Sequence, residues 1–195
     1  MPTLSRHADF LLRIQRLAPA FATSAVDVVG RITLSDPSGL VSWPLTRADR
    51  VLTGADVESI VRAAASTYWI GDEFGPYLLH FDRAGQLLAA PIPLAGVVAP
   101  ETAARTGVPA TTNSSKGFEG LAASPDGRHL YGLLEGTVNG DVAGQLRLNE
   151  FDPRTQKYTG KRFIYQLESP ANAIGDAVAV DDNEWITIEL PHSLT

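Results

Sequence analysis

Apolar and polar residues alternate with a period of two in short runs at 26–34, 67–71, 77–81, 130–134, 145–151, 177–180 and 184–188. That period belongs to a strand with one face buried, so each run predicts a β-strand. The runs are separated by Asp36-Pro37-Ser38-Gly39, Arg83-Ala84-Gly85, Pro125-Asp126-Gly127, Asp152-Pro153-Arg154-Thr155 and Asp181-Asp182-Asn183. These are turn compositions, because Pro presets φ, Gly supplies positive φ, and Asx side chains bond their own backbone. Strands and turns at regular spacing predict an antiparallel all-β fold. Residues 53–65 are the best helix candidate, but they include Gly54 and show no clean 3.6-residue stripe, so a strand is expected there too. Residues 96–116, with two Pro, two Gly and many small polar residues, predict a long loop. Near the N-terminus the apolar run from Phe10 to Leu17 is broken by Arg13 and Arg16, so it predicts a strand rather than an export signal.

The strands recur in a longer pattern. Glu58-Ser59-Ile60-Val61-Arg62 leads to a run ending Asp72-Glu73, then to Leu78-Leu79-His80-Phe81-Asp82. Glu119-Gly120-Leu121-Ala122-Ala123 leads in the same way to Leu134-Glu135, then to Leu148-Asn149-Glu150-Phe151-Asp152. A third copy starts at Asp176 and reaches Ile188-Glu189. Each copy supplies about four strands, and tandem four-stranded sheets are the signature of β-propeller blades. The expected fold is therefore a partial β-propeller of antiparallel four-stranded blades, about three units with the last incomplete. The expected divisions are lead-in strands at 1–50, a first blade at 51–95, the long loop at 96–116, a second blade at 117–168 and the start of a third at 169–195.

Each copy places an acidic residue at the start of its first strand and another at the end of its second: Glu58 with Glu73, Glu119 with Glu135, Asp176 with Glu189. The midpoints of these pairs fall on the apparent hairpin turns, which predicts that the partners face each other across antiparallel strands. Like charges so placed repel and need a counter-charge. The innermost strands of a propeller line its channel, where carboxylates from successive blades would converge on a hard cation, with calcium the first choice. Asp56 and Asp72 add two carboxylates beside the first pair. The plain alternative is that these residues are solvated strand ends and turn formers. Glu101, Glu150, Glu168 and Asp9 lack the placement and are assigned to the surface. His80 reads as a strand-face residue or a pocket donor, and Lys116, just ahead of Gly117-Phe118-Glu119, as a candidate anion contact. His7, His129 and His192 stand in no comparable setting.

Composition narrows the chemistry. Sixteen basic against 22 acidic residues give a formal charge of −6, which argues against a nucleic-acid partner. The absence of Cys removes thiolate metal sites, disulfides and a cysteine nucleophile. No apolar run approaches the roughly 18 residues of a membrane span. There is no G-x-S-x-G elbow, H-E-x-x-H pair or phosphate-binding G-x-x-x-x-G-K.

The segments 52–59, 69–76, 78–82, 117–122, 130–135 and 173–176 together resemble the phytase-like β-propeller family, known by an esterase-like activity of phytase. The resemblance implies a propeller with an acidic channel that hydrolyses esters or phosphoesters, and by position it marks Asp56, Glu58, Asp72, Glu73, Glu119, Glu135 and Asp176. It also implies export, since members of the family are usually periplasmic or extracellular, and a longer chain than this one, so a fragment is expected. Two departures stand out. Ala65-Ser66 occupies a turn where the family has Asp-Gly, and Leu190-Pro191-His192 follows Glu189 where the family continues with charged residues. The function expected is metal-assisted hydrolysis of a small-molecule ester or phosphoester, with Glu58, Glu73, Glu119 and Glu135 around calcium and Glu73 as general base. The rival expectation is a non-catalytic propeller module with a structural calcium site. Unclosed blade edges, in either case, predict self-association.

Overall fold

The computed structural model describes residues 11–191; Asp9, Phe10, His7 and His192 lie outside them. Twelve strands and one helix fill most of this length: β1 Arg13–Ala20, β2 Ala25–Thr33, β3 Val57–Arg62, β4 Tyr68–Asp72, β5 Tyr77–Phe81, β6 Ile92–Pro93, α1 Pro100–Thr106, β7 Phe118–Ala123, β8 Leu130–Leu134, β9 Gln145–Asp152, β10 Lys157–Gln166, β11 Ala173–Ala179 and β12 Trp185–Leu190. The fold is all-β, and its two large sheets are four-stranded antiparallel meanders in the order β3-β4-β5-β6 and β7-β8-β9-β10, the strand arrangement of propeller blades. Two further sheets are hairpins, β1-β2 and β11-β12.

The chain divides into two compact units. The smaller, 1–54 with 81–90, contains the β1-β2 hairpin, which leaves Leu17, Val26 and Val28 exposed. Its buried carboxylate, Asp36, accepts the backbone N–H of Leu40 and Val41 and pairs with Arg50 at 2.7 Å. Burial works against the charge on Asp36, yet these three donors hold its pKa below the ordinary carboxylate value.

The larger unit, 55–80 with 91–195, carries the two meanders and β11-β12. Its sheets pack face to face because their strands are apolar on both sides. On β8, Leu130 and Leu134 join Trp69, Leu78, Phe118, Leu121 and Phe151 in one buried cluster. Leu133, on the opposite face, joins Leu146, Leu167, Ile174 and Ala177 in a second. One strand thus serves two layers, and each fully buried Leu or Phe contributes about 1.5–3 kcal/mol. The first strands of successive sheets are neighbours, with β7 lying between β3 and β11.

Two expectations change here. Residues 96–116 are not loop throughout, since α1 occupies 100–106. Its sequence carries the marks of a short helix: Pro at the first turn, Glu101 near the N-terminus, Arg105 in the last turn and Gly107 in the left-handed conformation that ends it. Glu150 is buried, not on the surface. Tyr131 Oη and Thr159 Oγ1 donate to it at 3.0 and 2.8 Å, and Lys161 approaches at 3.3 Å. The turn at Ala65-Ser66, noted above as a departure, carries its strain in the backbone. Both residues have positive φ, 55° and 59°, as a tight turn between twisted strands requires, and neither side chain adopts it comfortably.

Candidate functional site

The acidic residues are positioned by a repeated irregularity of the ladder. Val57 pairs with Asp72 and Ser59 with Gly71, so Glu58 is an extra residue bulged out of β3. Phe118 pairs with Leu134 and Gly120 with Leu133, so Glu119 occupies the same bulge on β7. Ile174 pairs with Glu189 and Ala177 with Thr187, which puts Asp176 in a bulge on β11. Direct opposition of Glu58 to Glu73 and of Glu119 to Glu135 is therefore corrected: the extra residue breaks the register and turns the carboxylate out of its strand's alternation. Beyond each bulge the ladder resumes, with Glu73 N–H donating to Asp56 O at 2.8 Å and Glu135 N–H to Gly117 O at 2.9 Å.

These bulges gather five of the expected carboxylates. Asp56, Glu58 and Glu73 can each offer an oxygen to one point, all within 4.8 Å of one another, and Glu73, Glu119 and Glu135 form a second such group. Glu73 is common to both. Its side chain is buried and its Oε1 has no hydrogen-bond partner. Ser115, which the sequence reading missed, donates Oγ to Asp56 at 3.3 Å, and Lys116 Nζ lies 2.6 Å from Glu135 Oε1. Nothing marks Ser115 in advance except its place two residues before Gly117, the glycine that precedes β7.

That glycine allows the approach of the two sheets. A Cβ on Gly117 would fall 2.3 Å from Glu73 O and 2.5 Å from Glu73 Cα, backbone atoms that have nowhere to go. Gly117→Ala is expected to destabilise the chain at the upper end of the roughly 1–3 kcal/mol usual for overpacking. Urea unfolding checks this, and a midpoint equal to wild type would mean that the two strands part without cost.

The electrostatics follow from crowding. Burial first, then the charge of Glu135 and its hydrogen bond, and then Glu119 and Asp56, push the Glu73 pKa up to about 9. Burial, followed by Glu135 and Glu58, pushes Glu119 to about 7 against the opposing effect of Lys116. Asp72 is raised to about 7 by burial, opposed by the N–H groups of Asp56 and Gly75, which it accepts at 2.8 Å each. In the absence of a cation this centre holds protons that free carboxylates would release.

The other expected site residues lie elsewhere. Asp72 faces those two N–H groups and belongs to neither carboxylate triad. Asp176 bonds the N–H of Ala177 and is also outside both. Glu189 accepts from Tyr165 Oη, Asn172 Nδ2 and Glu168 N–H at 2.6, 2.6 and 2.8 Å, a buttress for the chain before β11 rather than part of the acidic centre. His80 stacks on Trp69 with ring centroids 4.1 Å apart and planes 5° from parallel, and neither ring nitrogen has a partner. Burial lowers its pKa and keeps it neutral.

Comparisons with known proteins bear on this arrangement. A family model, phytase-like, described as "Esterase-like activity of phytase", matches residues 3–190. An "Uncharacterized secreted protein" of Arthroderma benhamiae is 32% identical over 131 residues, covering 53% of this chain and 25% of that protein. The chain thus spans about a quarter of that relative's length. Among solved structures, the crystal structure of RRP9 WD40 repeats aligns with a TM-score of 0.33 and 13% identity, over 68% of this chain and 44% of that one.

Proposed function

The chain belongs to the phytase-like family, and from that premise we propose that it is a metal-assisted hydrolase of ester or phosphoester bonds, with calcium held by the carboxylates around Glu73. The observation that carries the reading is Glu73 itself: a buried carboxyl shared by two triads, with one oxygen unpartnered among like charges. Such a group is costly unless protonated or faced by a cation. The donor set fits a hard cation, since Asp56, Glu58, Glu119 and Glu135 offer only oxygen; the chain has no Cys, and among the described residues no imidazole joins these groups, which disfavours zinc.

A divalent cation held there would supply positive charge to polarise the scissile ester and to acidify a water molecule. The protein's own groups do the rest. Glu119 and Glu135 would hold a cation on the β7–β8 side and Asp56 and Glu58 on the β3 side, and Lys116, paired with Glu135 at 2.6 Å in the metal-free chain, would turn to an oxygen of the substrate. Hydrolysis joins the water oxygen to the acyl carbon or phosphorus and breaks the bond to the alkoxy oxygen. Glu73 takes one water proton, which leaves with the alcohol. Association of copies, expected of open blades, would use the exposed Val178, Ile186 and Ile188 of the β11-β12 hairpin.

Turnover of p-nitrophenyl acetate and p-nitrophenyl phosphate, with calcium and with chelator, tests the reading. Calcium-dependent turnover is expected with at least one of them, and Glu73→Gln should lower it by about 10²-fold or more. An unchanged rate in Glu73→Gln would remove it as the base. Calcium-dependent melting without any turnover would assign the centre a structural role instead.

A further inference from the structure

Asp56 offers its carboxylate to the first triad from just outside the sheet, since β3 begins at Val57 and the ladder's last pair joins Val57 to Asp72. Two bonds hold its backbone in place of ladder pairing. Its carbonyl accepts Glu73 N–H at 2.8 Å, and its own N–H donates to Asp72 Oδ1 at 2.8 Å. The second oxygen of Asp72, Oδ2, accepts Gly75 N–H at 2.8 Å, so one side chain ties the approach to β3 to the turn that follows Glu73. Asp72 is 1% exposed.

The second sheet shows what the fold itself asks for at that position. Phe118 pairs with Leu134 as Val57 pairs with Asp72, and Gly117 O accepts Glu135 N–H as Asp56 O accepts Glu73 N–H. Gly117 therefore stands where Asp56 does, and Leu134, fully buried beside Trp69 and Phe118, stands where Asp72 does. A leucine gains from burial there, whereas a carboxylate loses its water and needs donors in exchange. An apolar residue serves the architecture, and the buried acid occurs in the sheet that also carries a carboxylate ahead of its first strand. We infer that Asp72 is a positioning residue: it holds Asp56 by the backbone N–H so that the Asp56 carboxylate reaches a cation shared with Glu58 and Glu73, without touching that cation itself. This rests on the reading of the acidic centre as a cation site. Groups that orient metal ligands through hydrogen bonds set affinity although they never meet the ion.

The experiment is a double-mutant cycle read by binding. Calcium is titrated calorimetrically into wild type, Asp56→Ala, Asp72→Asn and the double variant, and the luminescence decay of bound terbium(III) in H₂O and D₂O counts the waters on the ion in each. Asp72→Asn keeps the shape of the side chain, but an amide accepts at one atom only, so one of the two N–H groups loses its acceptor. That substitution is expected to weaken calcium by about 10–100-fold and to admit about one more water to terbium. In the Asp56→Ala background it is expected to cost less than about twofold and to add no water, because no Asp56 carboxylate is left to misplace. Equal losses in the two backgrounds would make Asp72 a ligand, a distant charge or a general support and overturn the inference, as would unchanged affinity in Asp72→Asn. If Asp72→Asn does not fold, Asp72→Leu, the residue that the second sheet uses, takes its place in the cycle; failure of both to fold makes Asp72 structural and also overturns it. If wild type binds neither ion, the reading of the acidic centre falls and the inference with it. If wild type binds them and only the cycle fails, that reading stands and the inference alone falls.

Discussion

Calcium titrated into the wild-type chain is expected to give a measurable heat and to raise its melting temperature, and Glu119→Gln combined with Glu135→Gln is expected to remove most of both. At a free concentration 100 times the dissociation constant, binding to the folded state alone adds about 2.7 kcal/mol, which for a chain of this size moves the transition by roughly 5–10 °C. The double substitution removes two of the three oxygens in one triad, leaving Glu73 without its partners there. It keeps side-chain volume and removes repulsion among buried carboxylates. The metal-free variant should therefore melt no lower than metal-free wild type, which separates a lost site from a broken fold. Calorimetry with magnesium and zinc in parallel should rank calcium first, as expected for a site with only oxygen donors. Equal heats in wild type and the double variant would show that calcium binds elsewhere.

Metal-free protein should lose stability as pH rises from about 5.5 to 8.5, opposite to the usual behaviour of carboxylates held in salt bridges. Asp72, Glu73 and Glu119 have folded pKa values raised to about 7, 9 and 7 from ordinary values near 4. Between the unfolded and folded values the native state binds more protons than the unfolded state, so the stabilisation they give is full below pH 4 and is lost as pH climbs through 7 and 9. Each whole proton retained gives a slope of about 1.4 kcal/mol per pH unit. Glu119, which is only half-buried, counts for less. Carboxylates with lowered pKa, such as Asp36 and Asp141, lose their stabilisation only at more acid pH and leave this window unaffected. Saturating calcium should flatten or invert the slope, because the bound cation replaces the protons. Thermal melts at half-unit pH steps, with chelator and with calcium, check it. A metal-free melting temperature that rises steadily to pH 8.5 would mean that the centre is solvated and its carboxylates ordinary.

Much of this was legible in the chain itself. The period-two runs became strands, the Asx-, Pro- and Gly-rich segments became turns, and the repeat of Glu58 and Glu119 reflects two sheets of the same order with their first strands adjacent. Side-chain alternation and turn chemistry are local properties, and a sequence carries them directly. Carboxylates at repeating positions were legible for the same reason. Which of them meet was not. Glu58 and Glu119 reach the acidic centre because each is the extra residue of a bulge, and a bulge exists only relative to the partner strand, which spacing alone cannot count. Asp176 shares the bulge but not the centre, and Glu189 shares the strand position but is taken by Tyr165 and Asn172. Burial is likewise a property of the packed layers: it turned Glu150 from a surface residue into a buried acceptor and stacked His80 on Trp69. The sequence by itself determined the strands, the repeat and the supply of oxygen ligands. Tertiary structure decided which ligands converge, because convergence depends on register across strands and on the close approach at Gly117, where only hydrogen fits between two backbones.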